Sequence, residues 1–273
     1  MGTSVRPAGA VRRLARLLHR RVVYPILDFA LPSACFVCGV FLGALQHLGA
    51  CPACWSALTG LPRPVCPACA LPRPEGTDLL GPAGGRCASC VAEPLVADPL
   101  HAAVAYDATA RRFLLRAKVG LRPEMFRPLG SRLARSVAIA GFAEGCTAVV
   151  AVPSHPWMAL RRGFSPAPEL ARPVARALGL PIVGGIGRRI LSAGAVKTMA
   201  ARRRRRVLRD AFFARRSLAG QHVLLVDDVM TTGATVTSCA LAAHDAGAVE
   251  VRIAVWARTL PPGWAGAGRG VVV

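Results

Sequence analysis

Eight of the ten cysteines in this chain form four Cys-x-x-Cys pairs within residues 35–90. Two thiolates at this spacing converge on one metal ion at about 2.3 Å, and a second pair completes the tetrahedron of a structural zinc site. Twelve residues separate the first pair from the second, and 17 separate the third from the fourth, so we predict two four-thiolate zinc sites. The predicted ligands are Cys35, Cys38, Cys51 and Cys54 in the first site and Cys66, Cys69, Cys87 and Cys90 in the second.

Cys-x-x-Cys pairs also occur in disulfide scaffolds and in redox proteins. We favour zinc, because no secretory signal is evident and four repeated pairs match a single redox motif poorly. The spacing alone leaves a crossed pairing of the four pairs open. Gly39 follows Cys38 directly and suits the positive φ that a tight cysteine knuckle often needs. The other two cysteines, Cys146 and Cys239, are expected to be small packed side chains.

A second group of chemically active residues lies in residues 223–235, Val-Leu-Leu-Val-Asp-Asp-Val-Met-Thr-Thr-Gly-Ala-Thr. The apolar residues predict a buried strand, and the Thr/Gly loop leads into a helix. Ligands of open α/β sheets bind at the carboxyl edge of the strands, where Asp227 and Asp228 stand. The loop can present backbone N–H groups and hydroxyls to a phosphate. Its residues are Thr231, Thr232, Gly233, Ala234 and Thr235.

The two carboxylates repel a phosphate, so they must serve another part of the ligand. They suit the hydroxyl groups of a sugar, directly or through Mg²⁺, and a ribose 5-phosphate needs both halves of the segment. A phosphorylated receiver domain lacks the Gly-Thr loop, and a Walker site needs a Gly-Lys-Ser/Thr sequence that is absent here. At all 13 positions the segment resembles the phosphoribosyl-pyrophosphate (PRPP) motif of type I phosphoribosyltransferases. The resemblance implies that Asp227 and Asp228 face the ribose 2- and 3-hydroxyls, that residues 231–235 hold the 5-phosphate, and that Mg²⁺ accompanies PRPP.

The elements that must position these residues alternate between strand and helix after Cys90. Strand, helix, strand in this order predicts an α/β fold with parallel pairing and covered faces. The resemblance to type I phosphoribosyltransferases implies a fold of that kind, with helices on both faces of the sheet. Predicted strands cover 101–106, 147–152, 180–183, 221–227 and 249–256, and predicted helices cover 109–119, 125–140, 166–178 and 233–246. The predicted domains are a basic N-terminal helix (1–30), a small double zinc ribbon (31–95), the phosphoribosyltransferase-like domain (100–260) and a flexible tail (261–273).

A further segment, residues 152–165, reads Val-Pro-Ser-His-Pro-Trp-Met-Ala-Leu-Arg-Arg-Gly-Phe-Ser. It resembles the ComF/GntX family of competence-related phosphoribosyltransferase-like proteins, as do the cysteine pairs and Arg116-Ala-Lys118, and the likeness runs from about Leu27 to Trp256. The matching residues are Pro153, His155, Arg162, Gly163 and Phe164. The segment would face the phosphate loop across the sheet edge, where pyrophosphate needs N–H groups and cations. We therefore expect Pro153, Ser154, His155 and Arg162 to form a pyrophosphate loop, with a loop-bracing role equally open for His155.

Some residues depart from the family pattern. Met158 stands where the family usually has arginine, and Ser165-Pro166 where it has Asn-Gln. A downstream segment with glutamine and Arg-x-x-Asn is replaced by residues 195–209, which include the run Arg202–Arg206. Catalytic residues and an acceptor motif are not identifiable, so ligand binding is better supported than transferase activity.

The composition gives 35 basic against 14 acidic residues, a formal net charge of +21. A hydrophobic fraction of 53% excludes a disordered basic tail protein, and 5% aromatic residues argue against a surface built to stack bases. The charge gathers in the N-terminal helix, Arg161/Arg162 and Arg202–Arg206. The arginine run suits a solvated helix face, a nucleic-acid backbone, or a flap that closes on pyrophosphate.

Two stretches could suggest a membrane segment. Residues 29–62 contain no charged residue, but prolines, glycines and four cysteines interrupt them, so a membrane span is excluded. Pro25 and Asp28 interrupt any signal-peptide core near the N-terminus. We expect a cytoplasmic protein whose basic helix lies on the protein body or at the inner face of the membrane.

Three hypotheses for function follow. By its family resemblance the protein would bind PRPP and assist the uptake or processing of single-stranded DNA, with a helicase-like competence protein as partner. Alternatively, it is a Mg²⁺-dependent phosphoribosyltransferase that acts on a nucleobase or similar acceptor. In the third hypothesis it is a regulator that senses PRPP and binds nucleic acid.

Overall fold

The computed structural model describes residues 33–42, 49–73, 85–92, 98–120, 122–189 and 211–261. The predicted N-terminal helix, the run Arg202–Arg206 and the tail after Pro261 lie outside these residues. The chain divides into two compact units, Met1–Trp55 and Ser56–Val273. The division falls between the two four-cysteine sets, so the second set belongs to the same unit as the large sheet.

The first unit contains two short antiparallel strands, β1 (Ser33–Ala34) and β2 (Phe41–Leu42). They are joined by the first cysteine knuckle, in which the Gly39 N–H donates to the Cys35 carbonyl at 2.8 Å. Gly39 has φ +78°, as the sequence predicts for a residue that must reverse the chain without a side-chain clash. A short helix, α1 (Pro52–Ser56), begins directly after Cys51 and contains Cys54, the second cysteine of the second pair.

The second unit is built on a four-stranded parallel sheet in the order β3-β8-β7-β4. Its strands are β3 (Leu100–Ala105), β4 (Ala148–Ala151), β7 (His222–Met230) and β8 (Glu250–Arg258). A separate antiparallel pair consists of β5 (Ile186–Arg188) and β6 (Phe212–Ala214). The strand predicted over 180–183 is reduced to a single parallel bridge between Ile182 and Val149.

The described part of this unit has six α-helices. They are α2 (Ala88–Ala92), α3 (Ala108–Val119), α4 (Phe126–Ile139), α5 (Pro156–Arg162), α6 (Pro166–Leu178) and α7 (Ala234–Asp245). The Asp107 carboxylate caps α3 by accepting from the Ala110 N–H at 2.8 Å, which satisfies one of the N–H groups that a helix start leaves unpaired. Gly179, at φ +67°, ends α6. Sequence periodicity predicts four of these helices to within three residues at each end, whereas the two shortest, α2 and α5, were not predicted.

Helices lie on both faces of the sheet, as predicted. On one face Cys239 and Ala240 of α7 pack with Leu225 and Val255 in a single apolar core. On the other face Trp256 contacts Phe113 of α3, with ring centroids 6.2 Å apart. Trp256 follows Val255 in the same strand, and successive strand side chains point to opposite faces. The sheet is therefore buried between two layers, which accounts for its nearly continuous apolar sequence.

Candidate functional site

A cleft opens at the carboxyl end of β7 because the neighbouring strand is shorter. The last paired residue of β4, Ala151, lies beside Val226, and the Val152 N–H still donates to the Val226 carbonyl at 2.9 Å. Strand β7 continues to Met230, so its last four residues extend past β4. After β4 the chain returns to the sheet at Ile182, which pairs with Val149 on the outer edge of β4. After β7 it returns as β8, on the opposite side of β7 from β4. Loops that diverge in this way leave a ligand crevice at the switch point of an α/β sheet.

The cleft encloses about 310 Å³. Its walls come from the end of β7, the segment after β4, the first turn of α6, Lys118 of α3 and Arg188 of β5. The lining residues are Lys118, Val152, Pro153, Ser154, His155, Met158, Arg162, Pro166, Ala167, Arg188, Asp227, Asp228, Val229 and Thr235. Both predicted carboxylates and all four predicted pyrophosphate-loop residues are in this set.

The two carboxylates have different partners. Asp227 Oδ1 accepts from the Asp228 N–H at 2.9 Å, whereas Asp228 forms an ion pair with Lys118. Burial, and next the negative charge of Asp228, raise the pKa of Asp227 to about 8, because both disfavour its ionised form. The pair therefore presents one carboxylate neutralised by a lysine and one that holds its proton more tightly than usual.

Two cations face these carboxylates from distant parts of the chain. Lys118 lies on α3, and Arg188 lies at the end of β5, where its guanidinium stacks on Phe212 at 5.2 Å and approaches the Pro153 carbonyl at 3.5 Å. Burial lowers the pKa of Arg188, and the charge of Asp227 opposes that shift. Arg188 is not identifiable from the sequence, because residues 186–188 are too few to give a strand signal.

The loop after β7 leads directly into α7. Gly233 has φ +85° and precedes the first helical residue, Ala234. Thr231, Thr232, Ala234 and Thr235 are exposed, and of these Thr235 lines the cleft. The first N–H groups of a helix lack intrahelical partners, so they can bind an anion at this end of α7. Thr231, Thr232 and Ala234 are exposed outside the cleft lining, and Gly233 is buried.

The segment after β4 forms helix α5, turns at Gly163 and then packs Phe164 against the protein. Helix α5 ends at Arg162, which lines the cleft, and Gly163 at φ +73° then reverses the chain. Phe164 packs against Phe126, with ring centroids 5.6 Å apart. The Arg-Gly-Phe sequence thus places a cation in the cleft and fixes the backbone behind it. Met158 also lines the cleft, at the position where arginine was expected from the family pattern.

The sulfur positions resolve how the four cysteine pairs combine. In each of the two predicted sets the four Sγ atoms lie within 4.8 Å of one another. Sulfur pairs across the knuckles are 3.8 Å apart for Cys35 and Cys54, and 3.7 Å apart for Cys69 and Cys87. A regular tetrahedron with zinc–sulfur bonds of about 2.3 Å has edges of about 3.8 Å. Both sets therefore fit zinc, and the crossed pairing is excluded.

Backbone N–H groups point at these sulfurs. The Cys51 N–H donates to Cys35 Sγ, and the Cys87 N–H donates to Cys66 Sγ, each at 3.3 Å. Burial raises the pKa of the Cys35 thiol, but hydrogen bonds from Cys38, Cys51 and Val37 together lower it to about 6. Zinc binds the thiolate form, so this arrangement prepares Cys35 for the metal, whereas burial and the neighbouring thiols raise the pKa of Cys54 in the same set. Within the parts of the chain that the structure describes, no helix is long and apolar enough to cross a membrane.

The sheet, its switch-point cleft and the two four-thiolate sets define a phosphoribosyltransferase-fold protein with a double zinc ribbon. The family model described as double zinc ribbon domain matches residues 26–91. The model described as phosphoribosyl transferase domain matches residues 159–260.

Relatives extend this match over most of the chain. "DNA utilization protein YhgH" of Escherichia coli strain K12 is 30% identical over 232 residues, which cover 84% of this chain and 98% of that protein. "Competence protein F" of Haemophilus influenzae is 29% identical over 109 residues, 39% of this chain and 48% of that one. Glutamine PRPP amidotransferase from B. subtilis shares 23% identity over 48% of this chain and 25% of its own, with a TM-score of 0.35. The chain belongs to the ComF/GntX family, and the resemblance found in its sequence is confirmed.

Proposed function

We propose that the cleft binds Mg²⁺-PRPP and that the protein uses this site as an accessory in the uptake or processing of single-stranded DNA. The observation that supports the ligand most directly is the arrangement of charge around one crevice. Two carboxylates share the cleft with Thr235 at the start of α7, with Arg162 of the segment after β4 and with Arg188 of β5. PRPP has the complementary order of groups, because its ribose hydroxyls lie between a 5-phosphate and a pyrophosphate.

In this proposal each end of the ligand meets donors. The N–H groups and hydroxyls of residues 231–235 bind the 5-phosphate. On the opposite side, the backbone from Pro153 to His155 and the guanidinium groups of Arg162 and Arg188 bind the pyrophosphate. Met158 replaces the arginine of the family pattern, and Arg188 supplies a cation to the cleft in its place.

The two carboxylates serve the middle of the ligand. Asp227 and Asp228 accept hydrogen bonds from the ribose hydroxyls or hold Mg²⁺, which prefers oxygen ligands. When bound, Mg²⁺ neutralises pyrophosphate oxygens and makes pyrophosphate a better leaving group. Lys118 already pairs with Asp228, so it must move aside or turn to the ligand when PRPP enters.

The DNA part of the proposal has a structural observation of its own. A groove of about 550 Å³ runs along α3, and it combines exposed arginines with apolar surface. The groove is lined by Ala108, Arg111, Arg112, Leu115, Arg116, Val119 and Gly120. Arginines at this spacing can follow a phosphate backbone while Leu115 and Val119 contact sugars or bases. The names of the relatives, which refer to DNA utilization and competence, agree with this part of the proposal. A helicase-like competence protein is the proposed partner.

The same helix connects the two proposed sites, since Lys118 of α3 reaches the cleft while its neighbours line the groove. The cytoplasm is the proposed location, because eight thiolates persist as zinc ligands in a reducing compartment. A position at its membrane face depends on the N-terminal segment, which lies outside the described residues.

One observation favours an enzyme as the second candidate function. Part of the cleft lining is apolar, through Met158, Pro166 and Ala167, and a flat nucleobase could lie against such a surface. Incubation with Mg²⁺-PRPP and a panel of bases, with pyrophosphate release as the measurement, separates an enzyme from a protein that only binds PRPP.

Calorimetry with Mg²⁺-PRPP tests the binding proposal. The double substitution Asp227→Asn with Asp228→Asn should abolish binding, because neither amide can replace an ionised carboxylate toward Mg²⁺. Asp245→Asn is the matched control, since Asp245 is exposed at the far end of α7, and it should leave the affinity unchanged. Equal affinities for the double variant and the wild type would refute PRPP as the ligand of this cleft.

A further inference from the structure

Arg258, the last residue of β8, is buried to an unusual degree for an arginine. It is only 5% exposed and is the one charged residue among those that the structure both describes and buries. Burying a charge costs several kcal/mol unless partners compensate it. The groups around this guanidinium must therefore compensate its charge.

The guanidinium donates to backbone carbonyls in two functional segments. Its Nε donates to the Cys69 carbonyl at 2.9 Å. Its Nη1 donates to the carbonyls of Met230 at 3.1 Å, Thr231 at 2.5 Å and Thr259 at 3.0 Å. Cys69 is a ligand of the second zinc site, and Thr231 is the first residue of the phosphate loop. One planar side chain thus joins two segments that are far apart in sequence.

These acceptors are carbonyl oxygens, so the full compensating charge must come from elsewhere. The second four-thiolate set supplies it, because four thiolates and one Zn²⁺ leave a formal charge of −2 next to the guanidinium. The metal-loaded site and the arginine therefore stabilise each other.

We propose that Arg258 is a positioning residue that couples the second zinc site to the phosphate loop. The loaded site holds the guanidinium in one orientation, and the guanidinium holds the carbonyls of Met230 and Thr231, from which the loop begins. Because Arg has a rigid fork of donors, a displacement of the Cys69 knuckle is transmitted to Thr231. The part of this inference that concerns PRPP rests on the proposed function of the loop.

Coupling of this kind works in both directions. If zinc at the second site strengthens PRPP binding, then PRPP must strengthen zinc binding at that site by the same factor. Couplings in proteins are commonly about 5- to 150-fold. A residue that only supported the fold would lower stability without producing this reciprocity.

Two single-site variants of the full chain separate the zinc sites. Cys87→Ser disables the second site and Cys54→Ser disables the first, and both cysteines are half-buried, so the substitutions are matched. We expect Cys87→Ser to weaken Mg²⁺-PRPP binding about tenfold or more, and Cys54→Ser to change it less than about twofold. In Cys54→Ser, saturating Mg²⁺-PRPP should raise the zinc affinity of the remaining site about tenfold in a chelator competition. In Cys87→Ser, saturating Mg²⁺-PRPP should not change the zinc affinity of the remaining first site.

Arg258→Met and Arg258→Lys test the residue itself. Arg258→Met should keep two zinc ions, with the second bound more weakly, and should lose both the PRPP affinity and the reciprocity. Arg258→Lys keeps the charge, so it should restore zinc affinity more fully than PRPP affinity. If Arg258→Met fails to fold, the two cysteine variants still test the coupling between the second zinc site and the loop. Equal PRPP affinities for Cys87→Ser and Cys54→Ser would overturn the coupling.

Failure of the proposed function gives a different result. If the wild-type chain does not bind Mg²⁺-PRPP, hydrogen exchange of the amides in residues 230–235 tests the coupling without the ligand. Exchange about fivefold or more faster in Cys87→Ser than in Cys54→Ser supports the link through Arg258. Equal exchange contradicts it.

Discussion

Lys118 of α3 forms an ion pair with Asp228 of β7 at the mouth of the cleft, and both side chains are mostly buried, with 21% and 14% of their surfaces exposed. The pair neutralises one of two adjacent carboxylates in the ligand-free protein. It also links the helix with the arginine-lined groove to the strand with the PRPP motif. Two proposed sites thus share one charge contact.

Lys118→Met should destabilise the ligand-free protein. Removing the lysine leaves two adjacent carboxylates in a half-buried cleft, so we expect a loss of about 1–3 kcal/mol in the free energy of unfolding. Arg172→Met breaks a more exposed ion pair with Glu169 and should cost less than about 1 kcal/mol. Denaturant unfolding of both variants measures the difference. In the Lys118→Met background, adding Asp228→Asn should recover most of the loss, and a purely additive result would argue against the pair.

Asp227→Asn should stabilise the ligand-free protein at alkaline pH while it abolishes ligand binding. An unfolded aspartate has a pKa near 3.9, whereas burial and Asp228 raise that of Asp227 to about 8. Between these values the folded chain holds a proton that the unfolded chain releases, so this group lowers stability as pH rises. The variant should be more stable by about 1–3 kcal/mol at pH 8.5, with a gain that shrinks toward pH 5. Thermal unfolding across this range gives the comparison, and a gain independent of pH would contradict the shifted aspartate.

Metal analysis should find two zinc ions per chain. Each single substitution at a ligand cysteine should remove one of them, because three thiolates bind zinc far more weakly than four. Cys146→Ser and Cys239→Ser are the controls, since neither cysteine belongs to a four-thiolate set. Loss of zinc in either control, or fewer than two zinc ions in the wild type, would count against the assignment.

Charge substitutions on α3 should weaken single-stranded DNA binding in a salt-dependent way. Each phosphate contact on a single strand contributes about 0.7 to the log–log salt slope, so replacing Arg111, Arg112 and Arg116 by Gln should reduce the slope by about 2. The control replaces three exposed arginines of α4 and α6, namely Arg127, Arg135 and Arg176, and removes the same charge elsewhere. Fluorescence anisotropy titrations at several salt concentrations provide the slopes. An equal reduction in both variants would indicate a diffuse charge effect and not a site on α3.

Much of the site could be predicted from sequence, because its signals are local. The Cys-x-x-Cys pairs, the apolar strand before Asp227 and the Gly233 loop each place their residues within one element or turn. Local spacing also predicted the positive φ of Gly39. In the third pair, Cys66/Cys69, Ala70 stands at the equivalent position with φ +53°, which a rule based on glycine could not identify.

The partners of these residues depended on the tertiary structure. Lys118 pairs with Asp228, 110 residues further along the chain. The Arg188 guanidinium approaches the Pro153 carbonyl across 35 residues, and Arg258 donates to the Cys69 carbonyl across 189 residues. Such contacts follow from the strand order and register of the sheet, and the spacing of residues along the chain does not encode them.

The sequence by itself determined the Cys-x-x-Cys pairs, the Thr/Gly loop after β7 and the alternation of strands and helices, because each is specified by residue types a few positions apart. Tertiary structure decided which cysteine pairs share a metal, which cations face the two carboxylates, and that Arg258 lies between a zinc ligand and the phosphate loop. The physical reason is the same in each case. A buried charge or a metal takes its ligands from whatever folding brings within a few ångströms, and this depends on how the strands are ordered.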